Sequence, residues 1–290
     1  MKLIIGFAIF CLVLFLYLHI QFHLKTGDDL EMYELEETSK DKLEEICDLR
    51  QPVLFDYEIE ELINNTNKDA LASMYNAFDV KIRNINEPQT TNSALYVPLK
   101  LSAAAKLFAE DKQSAYLTER NDDFLTETGA DKQFRYNDAF LRPHMVSNCI
   151  YDVMFGSAGA WTPFRCELNY RNYFMVTHGS VKVKMAPPKS AKYLRVINDY
   201  DNFEFRSPIN PWKPDAELDK VKCLEFTLTK GKTLFIPAYW YYSIQFIDDA
   251  SVSALFYRTY MNNLAMMHHT LMYALQLHNV KHEIVKKMEI

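Results

Sequence analysis

The sequence predicts a mainly β domain with flanking helices, an α+β fold class, behind an N-terminal apolar helix. The sheet is predicted by residues 156–188 and 235–244, which alternate apolar and polar side chains at period two and are rich in aromatic and β-branched types. The helix is predicted by residues 3–18, an almost continuous run of Leu, Ile, Phe and Val. With 290 residues, 49% of them apolar and 24% charged, the chain can bury one full core beside this helix.

The N-terminal segment is predicted to be an uncleaved transmembrane signal-anchor over residues 1–24, contacting the membrane through residues 3–24. No formal charge occurs between Lys2 and Lys25, and about 20 helical residues at about 1.5 Å each cross a hydrocarbon core of roughly 30 Å. A cleaved signal peptide is the alternative, but His19–His23 offers no small-x-small cleavage site. We therefore expect a single-pass membrane protein.

The orientation follows from few charges. Lys2 and the amino terminus favour a cytosolic N-terminus, with the domain on the lumenal or exterior side. The triplet Asn64-Asn65-Thr66 fits a glycosylation sequon and is consistent with that side of the membrane.

Between the anchor and the β core, short elements alternate. Residues 25–51 are predicted to be an acidic spacer followed by a helix that Ser39 caps. The further elements are a strand at 52–57, a helical turn at 58–63, a strand at 78–85, a Ser102-capped helix at 102–112, a strand at 114–118, a short helix at 122–128 and a loop at 131–143. Together they begin a domain predicted over residues 52–262, with its core at 140–260.

Two stretches of the C-terminal half are not predicted to be strands. The segment Phe205–Lys220 contains three prolines and is expected to be a loop. Residues 263–290 predict a C-terminal helix with Leu264, Met267 and Leu271 on one face, which offers a surface for homo-oligomer formation. His278 and His282 are spaced i, i+4 on this helix, but without an adjacent Glu they are read as surface histidines.

Several short motifs occur in the order found in JmjC-type cupin-like proteins, which the chain resembles over residues 140–260. They are Thr162-Pro163-Phe164-Arg165-Cys166-Glu167, Gly179 in a presumed hairpin, Pro187-Pro188, and Ile236-Pro237-Ala238-Tyr239-Trp240. The resemblance implies a double-stranded β-helix. In the family, a His-x-Asp pair and a distal His bind Fe(II) and leave positions for 2-oxoglutarate and oxygen.

Carried over by position, the resemblance places Arg165 and Glu167 at the His-x-Asp pair and Tyr242 at the distal His. Arg has five donors and no lone pair to offer a cation, so it cannot ligate a metal. Strand alternation points Arg165 and Glu167 to the same side, where they are expected to pair. The 2-oxoglutarate-binding Lys of the family corresponds to Val181, with Lys182 available only if the hairpin is shifted by one residue.

These positions predict a catalytically inactive, membrane-anchored binding or structural module without a cofactor. The residues expected to bind an unknown protein or a small anionic ligand are Arg165, Arg171, Lys182, Trp240 and Tyr242. The alternative is a hydroxylase of protein or lipid that uses Fe(II) and 2-oxoglutarate, with a rearranged ligand set of Glu167, His178 and His144.

Composition restricts the partners further. The net charge of −6 comes without a sustained basic stripe, so nucleic acid is not an expected partner. The five cysteines are widely spaced and predict neither a zinc ribbon nor a disulfide scaffold. The denser pattern LRPHM, TPFR, YRNYF, SPINPW and IPAYWYYSI is similar to cupin-like proteins encoded by large DNA viruses and protists, which implies a host or virion membrane.

Overall fold

A computed structural model describes residues 1–36, 39–87 and 95–278 of the chain. The helices are α1 (Lys2–Leu24), α2 (Lys40–Cys47), α3 (Glu60–Thr66), α4 (Lys68–Tyr75), α5 (Leu101–Glu110), α6 (Asp122–Thr128), α7 (Asp131–Asn137), α8 (Tyr260–Ala265) and α9 (Met267–His278), with 3-10 turns at Pro188–Tyr193 and Leu218–Lys220. The strands are β1 (Tyr33–Leu35), β2 (Val53–Asp56), β3 (Asp79–Asn84), β4 (Val97–Lys100), β5 (Tyr116–Thr118), β6 (Val146–Gly156), β7 (Arg165–Cys166), β8 (Arg171–Ala186), β9 (Ile197–Asp199), β10 (Glu204–Arg206), β11 (Leu224–Thr229), β12 (Lys232–Ile236) and β13 (Tyr241–Thr259). The mainly β fold class with flanking helices is confirmed.

The sheet is organised around β13, the longest strand. It pairs antiparallel with β6 on one side and with β8 along almost its whole length on the other. The sheet continues from β8 through β12 and β2 to β1, and from β6 through β5 and β3 to β4. Strands β7, β10 and β9 branch from the start of β13, and β11 pairs with the second half of β8. This branching curls the sheet around an interior.

Gly179 is a bend inside one continuous strand, so the predicted hairpin is wrong. Both halves of β8 pair with β13 rather than with each other, and Gly179 lies opposite the irregularity between Ile247 and Ser251. Its φ is +65°, and an added Cβ would approach the Cα of Ala250 to 3.1 Å. Only glycine adopts this left-handed conformation at such close backbone contact without strain.

The bend shifts the alternation of inward and outward side chains by one residue. Before it, Phe174 and Val176 face the interior of the sheet, and after it Val181 and Val183 do so. Because a one-residue shift moves every following side chain to the opposite face, Lys182 points outward and is exposed. The position suggested for a ligand-binding lysine therefore lies on the wrong side of the strand.

Of the three buried apolar clusters in the described residues, two lie on opposite faces of β8 and β13 because of this alternation. The interior core contains Trp240, Tyr242 and Phe174. The second core lies between the outer face of the sheet and the helices, and contains Tyr173, Tyr257 and Phe55 among others. Successive side chains of β8 and β13 thus pack into opposite cores. Because both faces of these strands are buried, their sequences are apolar over most of their length.

The predicted acidic spacer is part of the domain. Strand β1 adds to β2 in parallel, and the backbone N–H of Lys189 donates to the Asp28 carboxylate over 3.0 Å. An added Cβ on Gly27 would lie 2.4 Å from the carbonyl oxygen of Arg50. Close packing therefore leaves almost no free linker between α1 and the domain.

Of the other predicted elements, one helix cap is confirmed, one helix cap is wrong, and a helix and a strand form where loops are predicted. Ser39 caps α2 by accepting the backbone N–H of Lys42, as predicted. Helix α5 begins at Leu101 after Lys100 without a side-chain cap, so the Ser102 cap is wrong. Helix α7 forms where a loop is predicted, because Phe134 becomes fully buried there. Strand β10 takes Phe205 and Arg206 from the predicted loop.

Candidate functional site

Strand β7 places Arg165 in the interior, beside the position predicted for a metal. Arg165 pairs in register with Tyr242 of β13 and with Arg206 of β10. Its exposed fraction is 2%. One terminal nitrogen lies 2.7 Å from a Glu119 carboxylate oxygen and the other 2.9 Å from a Glu204 oxygen. Arg165 is therefore held by two carboxylates that sequence analysis did not identify.

These contacts belong to a buried network of three guanidinium groups and three carboxylates. Its members are Arg83, Arg165, Arg206, Glu119, Asp199 and Glu204, each at most 2% exposed. Arg83 lies 2.8 Å from both Glu119 and Glu204. Arg206 lies 2.7 Å from Asp199 and 2.9 Å from Glu204. The formal charges of the six side chains cancel.

The network lowers the pKa of two of its carboxyl groups, Glu204 and Glu119. Burial alone would raise the pKa of Glu204, but the surrounding Arg83, Arg120 and Arg165 hold it well below its usual range. For Glu119, burial is likewise outweighed by Arg165 and Arg83, so its pKa is lowered. A buried charge with one partner missing is strongly destabilising, so the six groups depend on one another.

Glu167 and Tyr242 form the boundary between this network and a cavity. The Tyr242 hydroxyl donates to a Glu167 oxygen over 3.2 Å. The Nε atom of Arg165 lies 3.6 Å from the same oxygen. The predicted pair of Arg165 and Glu167 is thus present, but it is longer than the ion pairs that Arg165 makes with Glu119 and Glu204.

The cavity has a volume of about 410 Å³ and opens beside β6, β13 and α9. Its lining combines aromatic side chains with ionisable ones: Arg120, Asp122, Ile150, Asp152, Arg165, Glu167, Asn169, Asn202, Phe203, Phe256, Arg258, Thr270 and Tyr273. Convergent polar groups on a partly apolar wall are typical of small-ligand sites.

Two arginines of this lining differ from those of the network. Arg258 donates through Nε to the Asn169 side-chain oxygen over 2.6 Å, and its guanidinium lies 5.5 Å from the centre of the Phe203 ring. Arg120 donates to the backbone oxygens of Asn202 and Phe203 over 2.7 and 3.4 Å. Within the described ranges, no salt bridge of 4.0 Å or less joins either guanidinium to a carboxylate.

The pKa of Arg258 responds to this arrangement. Burial lowers it from the usual value, Glu167 opposes that effect, and the like charge of Arg120 lowers it further. The charge of Arg258 is therefore incompletely compensated, whereas burial of Arg120 is outweighed by Tyr96 and Glu204, which raise its pKa. Sequence analysis missed both arginines, although the alternation Val252, Ala254, Phe256 points Arg258 to the same inward face.

The Asp152 side chain fixes the backbone at Arg120 through hydrogen bonds. Its carboxylate accepts the backbone N–H groups of Arg120 and Asn121 over 2.6 and 2.7 Å. These bonds hold Arg120 in a left-handed conformation with φ of 58°. Burial raises the pKa of Asp152 to about 6, partly offset by those backbone bonds.

The structure does not bring the other predicted binding residues to this cavity. Arg171 is 1% exposed and contacts Asp48 over 2.5 Å, close to α2, because its place in β8 faces the helices. Lys182 is exposed on the outer surface. Trp240 is fully buried in the interior core. Only Arg165 and Tyr242 of the predicted set lie together.

The rearranged ligand set is not assembled either. His144 lies 3.6 Å from Glu44. His178 belongs to an exposed group with Asp69 and Asp249, whose ligand atoms lie within 4.8 Å of one another, and Lys68 already pairs with Asp249 there. This is the only such trio that the described residues provide, and it does not include Glu167. At the position that the resemblance assigns to the iron, Glu167 lies beside Arg165 and Tyr242, and an arginine offers no lone pair to a metal ion.

Two further predicted features have definite positions. Asn64 is exposed on α3, whereas Thr66 of the same sequon is 1% exposed and bonds to the Leu62 carbonyl. His278 ends α9, and its proposed partner His282 lies outside the described residues.

The family assignment follows from this fold together with sequence comparison. The model of the cupin-like domain family matches residues 39–263, so the chain belongs to that family. The chain is also similar to HSPB1-associated protein 1 of Bos taurus and of Homo sapiens, each with 28% identity over 103 residues. The matched stretch covers 34% of this chain and 21% of each relative, so it spans about a fifth of their length.

The JmjC-type turn before β13 is retained without its glycine. Tyr239 stands at the Gly position of the resembling motif and adopts a φ of 68°. Its backbone N–H donates to the carbonyl of Glu167 over 2.9 Å. The tertiary contact holds a bulky residue in a conformation that glycine adopts more readily.

Proposed function

We propose that this protein is a membrane-anchored cupin-like module that binds an anionic small molecule between Arg120 and Arg258, without Fe(II) and 2-oxoglutarate chemistry. The observation that carries the proposal is that two guanidinium groups line one cavity and that, among the described residues, neither has a carboxylate oxygen within 4.0 Å, although Asp152 and Glu167 line the same cavity. Arg165 contributes to the same wall, but its charge is already balanced by Glu119 and Glu204.

The chemistry of the ligand follows from the lining. Guanidinium groups favour carboxylate and phosphate oxygens, which accept their parallel N–H donors. Phe203, Phe256 and Tyr273 supply an apolar or aromatic surface beside them. A cavity of about 410 Å³ suits a metabolite-sized molecule with one anionic end.

The donor set supports a non-metal role. The resemblance assigns the first metal ligand to Arg165, whose guanidinium has two carboxylates within 2.9 Å. An Fe(II) ion there would face a fixed positive charge and one carboxylate, which explains why we favour binding over hydroxylation. The resemblance to virus-encoded members, and with it a virion membrane, stays a prediction.

Helix α1 supports the membrane part of the proposal. It is 23 residues long with a mean hydropathy of 2.7, and none of its apolar window is buried in the domain. A lumenal or exterior domain is tested by a glycosidase-induced shift in electrophoretic mobility that disappears in Asn64→Gln. A protease that digests the domain only from the cytosolic side would contradict that orientation.

The binding test uses the full chain in detergent micelles, with sulfate and succinate as probes in calorimetric titrations. Losing a charged hydrogen bond costs about 1.5–3 kcal/mol, so Arg258→Gln and Arg120→Gln are each expected to weaken the probe that binds by about 10- to 100-fold. Arg195→Gln is the matched control, because that arginine is 63% exposed and distant from the lining. Equal affinity in all three variants would refute the site.

The same preparation tests the absent metal chemistry. Anaerobic Fe(II) titration is expected to show no stoichiometric binding, and 2-oxoglutarate in air is expected to give no succinate. Turnover that survives dialysis against chelator and returns with Fe(II) would establish the hydroxylase alternative instead.

The relatives are called HSPB1-associated protein 1, a name that describes association with another protein, HSPB1. By analogy, an acidic segment of a partner protein is a second source of the anionic group. Tight binding of a partner together with no response to sulfate or succinate would favour that source.

A further inference from the structure

The C-terminal end of α1 packs directly against the domain. His23 is 7% exposed, and its Nε2 lies 3.2 Å from the hydroxyl of Thr259, the N-cap of α8. Its ring also contacts Tyr170, with centroids 5.0 Å apart. Arg50 lies 5.0 Å from the centre of the Phe22 ring. The C-terminal end of α1, where the chain would leave the bilayer, is therefore in direct contact with α8.

From this contact, exposed apolar side chains continue along α8 and α9. We name Met145, Tyr260, Leu264, Met267 and Leu271 the apolar strip; their exposed fractions are 74, 59, 40, 62 and 56%. Met145 joins the strip because its carbonyl accepts the backbone N–H of Tyr260. Met267 and Leu271 are four residues apart and share one face of α9, while Leu264 lies in the last turn of α8.

The opposite face of α9 is already occupied. His269 contacts Tyr200, with Nδ1 3.1 Å from its hydroxyl, and Tyr273 packs on Phe203 at 5.3 Å. Thr270 and Tyr273 line the anion cavity. The strip is thus the outward side of a helix whose inward side closes that cavity.

Charge distribution indicates what covers the strip. No Asp, Glu, Lys or Arg occurs from Thr259 to Val280, a stretch that includes all of α8 and α9. An uncharged helix face with exposed apolar side chains, starting where a membrane anchor ends, is suited to the headgroup region of a bilayer. Exposed apolar surface of this extent marks an interaction site.

We propose that α8 and α9 lie on the membrane surface, with the apolar strip inserted among the lipids beside the point where α1 emerges. The inference rests on the proposed membrane anchor. Continuity with the end of α1 selects a lipid surface over a second copy of the chain. The wall of the anion cavity formed by α9 then lies next to the bilayer, so lipid contact and access to the cavity share one helix.

The test places the photoreactive residue benzoylphenylalanine at single positions of the full chain in phospholipid nanodiscs. The positions are 271 in the strip, 15 in α1 as the anchor control, and 97 as the matched exposed control; Val97 is 65% exposed on β4. After irradiation, intact mass is expected to show a phospholipid adduct at 271 and 15, with at least a fivefold lower yield at 97.

Each of the following results would overturn the inference. An adduct at 15 but none at 271 overturns the strip while keeping the anchor. Protein dimers cross-linked at 271 show that a second copy covers the strip, which also overturns the inference. No adduct at either 15 or 271 overturns the anchor and the strip together. Because 271 is already exposed, the substitution leaves the fold intact, and circular dichroism of each variant checks this.

Discussion

Replacing Arg165 by Met tests the buried charge network at one of the two arginines that contact both Glu119 and Glu204. Arg165 lies 2.7 Å from Glu119 and 2.9 Å from Glu204 at 2% exposure. Without it, Glu204 keeps Arg83 and Arg206, whereas Glu119 keeps one guanidinium, that of Arg83, and the hydrogen bond from the Tyr96 hydroxyl. Three carboxylates then face two guanidinium groups, and the excess negative charge is fully buried.

The expected loss follows from that excess charge. One ion pair at about 4 Å is worth about 4 kcal/mol at an effective dielectric constant of about 20, and removing one partner of a buried pair costs about 3–5 kcal/mol. We therefore expect Arg165→Met to lose about 3–5 kcal/mol at pH 7. The assay is urea unfolding of the full chain in micelles, monitored by tryptophan fluorescence.

The pH dependence supplies a sign that simple loss of packing would not. In the parent protein the folded pKa of Glu119 is lowered below 4.5, so its stabilisation is present above pH 4.5 and is lost as pH falls through the folded pKa. In Arg165→Met that pKa rises, so protonation relieves the excess charge at higher pH. The stability difference between the two proteins should shrink as pH falls from 7 towards 4.

Two controls complete this experiment. Arg195→Met removes an exposed arginine, 3.5 Å from Glu217, and should change stability by about 0.5 kcal/mol or less. The double variant Arg165→Met with Glu119→Gln restores neutrality and should recover part of the loss. A loss under about 1 kcal/mol for Arg165→Met, or a double variant as unstable as the sum of the two single ones, would refute the reasoning.

Three further predictions concern other parts of the molecule. Sulfate should bind more tightly as pH falls from 7.5 to 5, because Asp152, with a pKa of about 6, then loses its negative charge beside Arg120. In Asp152→Asn, sulfate should bind with the tighter affinity at both pH values. If the affinity of this variant changed with pH as much as that of the parent protein, the assignment to Asp152 would be wrong. Gly179→Ala should cost about 1–2 kcal/mol by urea unfolding, since φ is +65°, whereas Gly6→Ala, with nothing within 4 Å, should cost nothing. Arg50→Ala should speed amide exchange at residues 22–24 in nanodiscs by releasing Phe22, and unchanged exchange would show that His23 alone fixes the anchor.

The residue pattern accounts for much of the fold and for part of the site. Period-two alternation predicts β8 and β13 and places Arg165, Glu167 and Tyr242 on one side, as the structure has them. It fails at Gly179, because a bend and a turn both call for glycine with positive φ. Because the sequence does not distinguish a bend from a turn at Gly179, it does not predict which way Lys182 faces.

What the sequence determined by itself was local: the apolar N-terminal helix and the strand alternation. The tertiary structure alone decided the partners of that arginine, because Glu119 and Glu204 come from β-segments 46 residues before it and 39 residues after it. It likewise decided that Arg120 and Arg258 share a cavity, and that α1 ends against α8. Such contacts join distant segments, and only the closure of the sheet brings them within hydrogen-bonding distance.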